Sequence, residues 1–575
     1  MNENTLSARI AAARGDLQPD LVLKNTRLVN TLTGEIDAVD IVIHEGYVVA
    51  LDATQSYSGT QTIDLEGRFV APGFIDAHVH IESSLCTPGE FAKTVSAGGV
   101  TTVITDPHEI ANVLGLEGIR FMLVRGEASP INVFVNAPSC VPATHMETSG
   151  ATLTADDLAS LLDDPHVIGL AEMMNYPGVI WNDAEVIAKL ERFAGRPIDG
   201  HAPSVTGKQL QAYVASGIGS DHECTTVAEA QEKLRLGMTL FIREGTATRN
   251  LKPLLPVVTE RNHQQICFCT DDRQPNSLLD AGSIDYMVRV AIAEGIDPIL
   301  AIRMATINTA RYFRLHELGA IAPGRRADLI VFSDMQNLRA EQVYKDGQLI
   351  AENGKSIVEI HTVNEDAIRP TMNVDLASLD VAIPAHQGGA VHVIGVIPDQ
   401  IVTDHFMDEA ELVDGFAVSD PARDLLKMVV IERHHASGKV GKGFIRGFGL
   451  KRGAIAGSVA HDHHNLVVVG VDDHSIRHAA EVVTKLGGGL AVVEGDQVLG
   501  TLPLEIAGLM TDAPMQQVRE QYDVLIQHAQ DLGSPLFDPF MTMSFMALEV
   551  IPKLKLTDIG LVDVEKFALI PLFAE

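Results

Sequence analysis

Between about residues 20 and 66, apolar and polar positions alternate in short runs. Asp20-Leu-Val-Leu-Lys24 and Ile41-Val-Ile-His-Glu-Gly-Tyr-Val-Val-Ala50, the second with Glu-Gly at its centre, predict strands joined by hairpin turns. The same texture returns after residue 318, in Ala327-Asp-Leu-Ile-Val-Phe332 and in Val343-Tyr-Lys-Asp-Gly-Gln-Leu-Ile350, where Asp-Gly supplies the turn. One small β-sandwich domain, built from both flanks as 1–66 plus 318–375, is therefore expected around a central insertion. In that insertion, 67–317, β-type runs alternate with amphipathic stretches. Thr87…Glu90, Thr206…Gln209 and Thr226…Glu229 fit the capping box that opens a helix.

The predicted strands of the insertion end near His80, Thr105, Asn136, Glu172, His201, His222, Arg243 and Asp271. One end about every 27 residues, eight times over, is the spacing of a (β/α)8 barrel, whose reactive groups sit at the C-terminal ends of its strands. From 376 to 575 the regular repeat is lost. Short β runs such as Asn465-Leu-Val-Val-Val469 and Leu490-Ala-Val-Val493 predict a separate C-terminal α/β domain. The fold class is α/β throughout.

Composition narrows the partners rather than the chemistry. With 76 acidic against 43 basic residues the formal charge is −33. Such a field repels phosphate backbones, so a small-molecule substrate is expected and a nucleic acid is not. The cysteines, Cys86, Cys140, Cys224, Cys267 and Cys269, are odd in number and irregularly spaced, which fits a reducing compartment and neither a disulfide framework nor a thiolate zinc site. Met1 to Gly15 has neither the basic start nor the apolar stretch of a signal peptide, and no run reaches the ~18 apolar residues of a membrane span. The expected location is cytoplasmic, away from membranes, and symmetry base rates favour a homo-oligomer.

The chemistry lies at the strand ends. In Phe74-Ile-Asp-Ala-His-Val-His80 a period of two puts His78 and His80 on one face. Glu172, His201, His222 and Asp271 end other strands, so all six converge on one rim. Six buried polar groups satisfied only by each other would be a costly structural arrangement. As metal ligands, four imidazoles and two carboxylates suit Zn²⁺, Mn²⁺ or Fe²⁺. They exceed the needs of one tetrahedral ion. Two divalent metals per chain, sharing a bridging hydroxide and Glu172 as bridging carboxylate, would use them all. Cys267 and Cys269 share a face with Asp271 and read as core packing.

Pro72-Gly-Phe-Ile-Asp-Ala-His-Val-His-Ile-Glu-Ser-Ser84 resembles the first-strand signature of the amidohydrolase superfamily, in the form found in adenine deaminases. Thr105-Asp-Pro-His-Glu-Ile-Ala-Asn112, Asp221-His-Glu223, Arg243-Glu-Gly245 and Cys269-Thr-Asp-Asp-Arg273 are similar at matching positions, and Gly319-Ala-Ile-Ala-Pro-Gly-Arg-Arg-Ala-Asp-Leu329 resembles the return to the β-domain. Superfamily members that open cyclic amides usually carry a carbamylated lysine after the fourth strand; Glu172 stands there instead. The resemblance implies metal ligation by His78, His80, Glu172, His201, His222 and Asp271, with Mn or Fe favoured and Zn the alternative. It also implies hydrolytic deamination of free adenine by metal-bound hydroxide attacking C6. Asp271 would relay the proton, with Glu172 and His222 also in the catalytic set.

His108 and Glu244, just past the second and seventh strands, are candidate substrate contacts; a helix-capping role is the other reading of His108. Ser458-Val-Ala-His-Asp-His-His-Asn465, Glu432-Arg-His-His-Ala-Ser-Gly438 and Pro539-Phe-Met-Thr-Met-Ser544 resemble hallmarks of adenine deaminases. The first of these reads either as a second metal site or, preferably, as a cover for the barrel mouth. The competing functions are another amidohydrolase acting on a related heterocycle, and a silent scaffold of the same fold, which would be expected to have lost ligands.

Overall fold

The computed structural model describes residues 3–360, 368–385, 390–398 and 400–574, so 1–2 and 361–367 of the expected flanks and 386–389, 399 and 575 of the expected C-terminal domain lie outside the described residues. Both hairpins form on the positive-φ pairs their sequences supply. Glu45 and Gly46 (φ 49° and 77°) turn Glu35–His44 into Tyr47–Asp52, and Asp346 and Gly347 (52° and 73°) turn Gln342–Lys345 into Gln348–Glu352. Phe69–Pro72, just inside the expected insertion, pairs antiparallel with Leu329–Phe332 of the second flank, and nine strands join in one sheet.

The insertion supplies eight parallel strands: β1 (Phe74–Val79), β2 (Val100–Thr105), β3 (Asn132–Ala137), β4 (Val167–Met173), β5 (Ile198–Gly200), β6 (Ser220–Asp221), β7 (Thr239–Arg243) and β8 (Ile266–Cys269). Two ladders, β1 to β5 and β6 to β8, run in chain order. They close on each other at two seams. Asp271 N donates to the His78 carbonyl (3.0 Å) beside a Val79–Asp271 bridge, and Gly219 N donates to the Ile198 carbonyl (2.9 Å). Every predicted strand end lies at or within two residues of the observed one. Cys267 and Cys269 are fully buried with Ala77 and Phe241, and all five cysteines are free.

The C-terminal part is built on an eight-stranded sheet. Its central strands Ala454–Gly457 and Leu466–Gly470 read as unbroken apolar runs because both faces are covered. In Leu466–Gly470, Val467 and Val469 join the large core shared with the barrel, whereas Leu466 and Val468 pack under the helix Asp473–Lys485. That helix starts on Asp472, whose carboxylate accepts from Ser475 N (2.8 Å), and buries Ile476, Ala479, Ala480 and Val483 at helical spacing. The shared core holds this layer against the barrel. Among the described residues no helix is long and apolar enough to cross a membrane.

Candidate active site

At the C-terminal rim of the barrel, β1 presents His78 and His80 with their Nε2 atoms 3.1 Å apart. Glu172, near the end of β4, stands between two groups of imidazoles. Its Oε1 lies 3.2 Å from His80 Nε2 and 3.6 Å from His78 Nε2; its Oε2 lies 2.5 Å from His201 Nδ1 and 3.2 Å from His222 Nε2. Asp271 completes the ring, with Oδ1 3.1 Å from His80 Nε2 and 3.5 Å from His78 Nε2. The six residues singled out in the sequence are thus brought together, all buried. Asp271 turns toward β1 because its backbone is left-handed (φ 58°), a conformation aspartate tolerates better than most residues.

Neighbouring groups hold these side chains in place. His80 Nδ1 meets the Asp106 carbonyl at 2.9 Å; a proton there leaves the Nε2 lone pair facing the cluster. Arg243, the last residue of β7, donates to Asp271 Oδ2 (2.7 Å) and grips Glu223 through both terminal nitrogens. Asp76 accepts from Thr270 N (3.1 Å) and Oγ1 (2.5 Å), tying β1 to the residue before Asp271. Burial opposes the charge on Glu172, but His201 and His222 hold its carboxyl well below the usual range. Burial likewise opposes charge on Asp271, and Arg243 with the histidines of β1 outweighs it.

The cluster is not satisfied by protein alone. His201 Nε2 and His222 Nδ1 are buried without a hydrogen-bond partner, which costs about 1–3 kcal/mol for each polar atom left unsatisfied. Donor atoms of His78, His222 and Asp271 lie within 4.8 Å of one another, as do those of Glu172, His201 and His222. Nitrogen and carboxylate donors without thiolate fit a divalent first-row cation.

His108 lines the same cavity as the first residue of the helix His108–Leu114, its ring centroid 4.5 Å from that of His80 and its Nδ1 3.0 Å from Asp106 Oδ2. Glu244 does not join them. Adjacent strand residues face opposite ways, so Arg243 points into the barrel while the Glu244 carboxylate accepts from Leu251 N (3.1 Å). The side chain that the end of β7 turns toward the cavity is thus Arg243, the residue before Glu244.

The cover comes from the C-terminal part. Glu109, next to His108, places Oε1 2.6 Å from His461 Nδ1 and Oε2 against His464 Nε2. The Phe545 ring stacks on His461, centroids 4.5 Å apart at 10°. Ile401, Asp462, Leu548 and Ile551 close the remaining wall. Sequence reasoning passed over Glu109, Glu223, Arg243 and Asp272 as lining residues. Each lies beside a residue it did single out, or in a segment it quoted, but spacing does not say which of two adjacent polar groups faces the cavity.

A barrel bearing such a histidine–carboxylate rim defines a metal-dependent hydrolase of the amidohydrolase class, and the family model described as Amidohydrolase family matches residues 69–350. The model described as Adenine deaminase C-terminal domain matches residues 400–568. The chain is 50% identical to an adenine deaminase of Desulfatibacillum aliphaticivorans, covering 98% of this chain and 99% of the relative. It is 48% identical to "Adenine deaminase 2" of Carboxydothermus hydrogenoformans, covering 98% of each. With matches of that extent, the chain belongs to the adenine deaminase family. A solved structure titled "Crystal structure of an adenine deaminase" is 21% identical, with a TM-score of 0.45 over 58% of this chain and 99% of that one.

Proposed function

We propose that this chain deaminates free adenine to hypoxanthine and ammonia in the cytoplasm, using two divalent cations, manganese or iron by family resemblance with zinc the alternative. The carrying observation is Glu172 between two groups of imidazoles, in a chain similar to adenine deaminases over nearly its whole length. His78, His80 and Asp271 with one oxygen of Glu172 would hold one cation, and His201 and His222 with the other oxygen the second. Bound cations supply water acidified to a pKa of about 7, a nucleophile available at neutral pH.

The chain's own groups do the rest. Asp271 accepts a proton from the attacking water and returns it to a ring nitrogen or to the departing amine, while Arg243 fixes its other oxygen. Water adds at C6, the C6–N bond breaks, and ammonia leaves. Met174, Phe545, Leu548 and Ile551 offer apolar walls for a flat ring and keep bulk water out. His108, Glu109 and His461 present polar atoms to its edge.

The test is ammonia release from adenine, adenosine, guanine and cytosine by protein reconstituted separately with Mn²⁺, Fe²⁺ and Zn²⁺. Adenine is expected to be turned over fastest and adenosine poorly, since the covered cavity leaves little space for ribose; faster turnover of adenosine would overturn the assignment. The proposal includes a homo-oligomer, which a monomer seen by sedimentation at assay concentration would contradict. It also includes the domain limits 1–66 with 318–375, 67–317 and 376–575, checked by where limited proteolysis cuts.

A further inference from the structure

A second buried cluster lies at the seam between the barrel and the C-terminal layer, apart from the rim. Glu147 comes from the loop after β3, and His463, Glu549 and Asp558 come from turns of the C-terminal part. Glu549 and His463 are fully buried, Asp558 and Glu147 nearly so. His463 sits between carboxylates, Nδ1 3.4 Å from Glu147 Oε2 and Nε2 3.7 Å from Glu549 Oε1.

Each carboxylate is tethered by one oxygen only. Glu147 Oε1 accepts from Asn465 Nδ2 (2.8 Å), Glu549 Oε1 from Thr144 Oγ1 (2.5 Å) and Asp558 Oδ1 from Thr148 N (2.8 Å). The second oxygens, Glu147 Oε2, Glu549 Oε2 and Asp558 Oδ2, are buried without a hydrogen bond, and both nitrogens of His463 make only the longer ion-pair contacts. Five buried polar atoms without a hydrogen bond at one seam are far more than a protein interior ordinarily leaves. Among the described residues the ion pairs of Glu147 and Glu549 run to His463 alone, and one imidazole does not balance three carboxylates.

We infer that Glu147, His463, Glu549 and Asp558 hold a structural divalent cation that clamps the C-terminal cover onto the barrel. Carboxylate oxygens with an imidazole nitrogen suit Zn²⁺ or Mn²⁺. Mutual repulsion among the carboxylates, unfavourable without the ion, becomes the source of its binding. The ion joins the loop that follows β3 to the turn carrying His461 and Asp462, so it would set how firmly the cavity is covered.

The test compares holoenzyme and the Glu549→Gln variant, both grown with Mn²⁺, by metal analysis. The variant is expected to hold one equivalent fewer per chain while the rim keeps its complement. Should the variant not fold, wild-type crystals containing Mn²⁺ serve instead, with diffraction measured on both sides of the manganese edge. An anomalous peak among Glu147, His463 and Glu549 supports the site. Equal metal content in folded wild type and variant, or peaks at the rim with only an ordered water or a shared proton at the seam, overturns it.

Discussion

At the barrel rim Glu172, His201, His222 and Asp271 stand at or just past the ends of four parallel strands, and the ladder alone dictates that they converge. At the seam Glu147, His463, Glu549 and Asp558 all lie in turns, and only the docking of one part of the chain on another brings them together. The rim is thus a property of the barrel and the seam a property of the assembly. The contrast teaches where each part of the site is vulnerable. The rim responds to single side chains, whereas the cover responds to anything that loosens the interface.

The strongest way to break the comparison is to remove the cover. A chain ending near residue 376 should show no measurable turnover of adenine, because Phe545, Leu548 and His461 leave the cavity and the shared apolar core is laid open. Near-wild-type turnover by a soluble fragment would mean the rim is complete by itself.

Asp271→Asn comes next and probes the rim alone. Asparagine keeps the shape and one oxygen for a metal but does not accept the proton, so kcat should fall by about 10²–10⁴ with much of the metal retained. Turnover within tenfold of wild type, with metals in place, would reduce Asp271 to a ligand at most.

Glu109→Gln addresses the contact between rim and cover. It leaves His461 and His464 without their carboxylate in a buried setting, and the expected loss in kcat/KM is roughly tenfold to a hundredfold, from about 1–3 kcal/mol for an unmade buried hydrogen bond. An unchanged kcat/KM would show that the cover needs no charge to sit correctly.

The smallest effect concerns Lys555, which is fully buried and donates to the Phe545 and Ile401 carbonyls (both 2.8 Å). Burial lowers its ammonium from 10.5 to about 7. Between those values the unfolded chain binds more protons than the folded one, so this lysine makes stability rise with pH from about 7 to 10.5. Below pH 7 both states are protonated and its contribution is flat. Denaturant midpoints across that range should climb less for Lys555→Met than for wild type; parallel curves would remove Lys555 from the account.

Much of this was written in one dimension. A period of two at His78 and His80, turn pairs at Glu45-Gly46 and Asp346-Gly347, and polar residues ending eight evenly spaced apolar runs specify barrel, hairpins and rim, because strand alternation and positive-φ preference act over a few residues. Their information is local, so a single sequence determines it. The facing of Arg243 rather than Glu244, the partnership of Glu109 with His461 and His464, and the seam around His463 were decided only by the fold. Glu109, in the first turn of the helix His108–Leu114, and His461, in a turn of the C-terminal part, are 352 residues apart. Which buried polar group faces which is set by the packing of a core that both parts share, and no spacing along the chain encodes that.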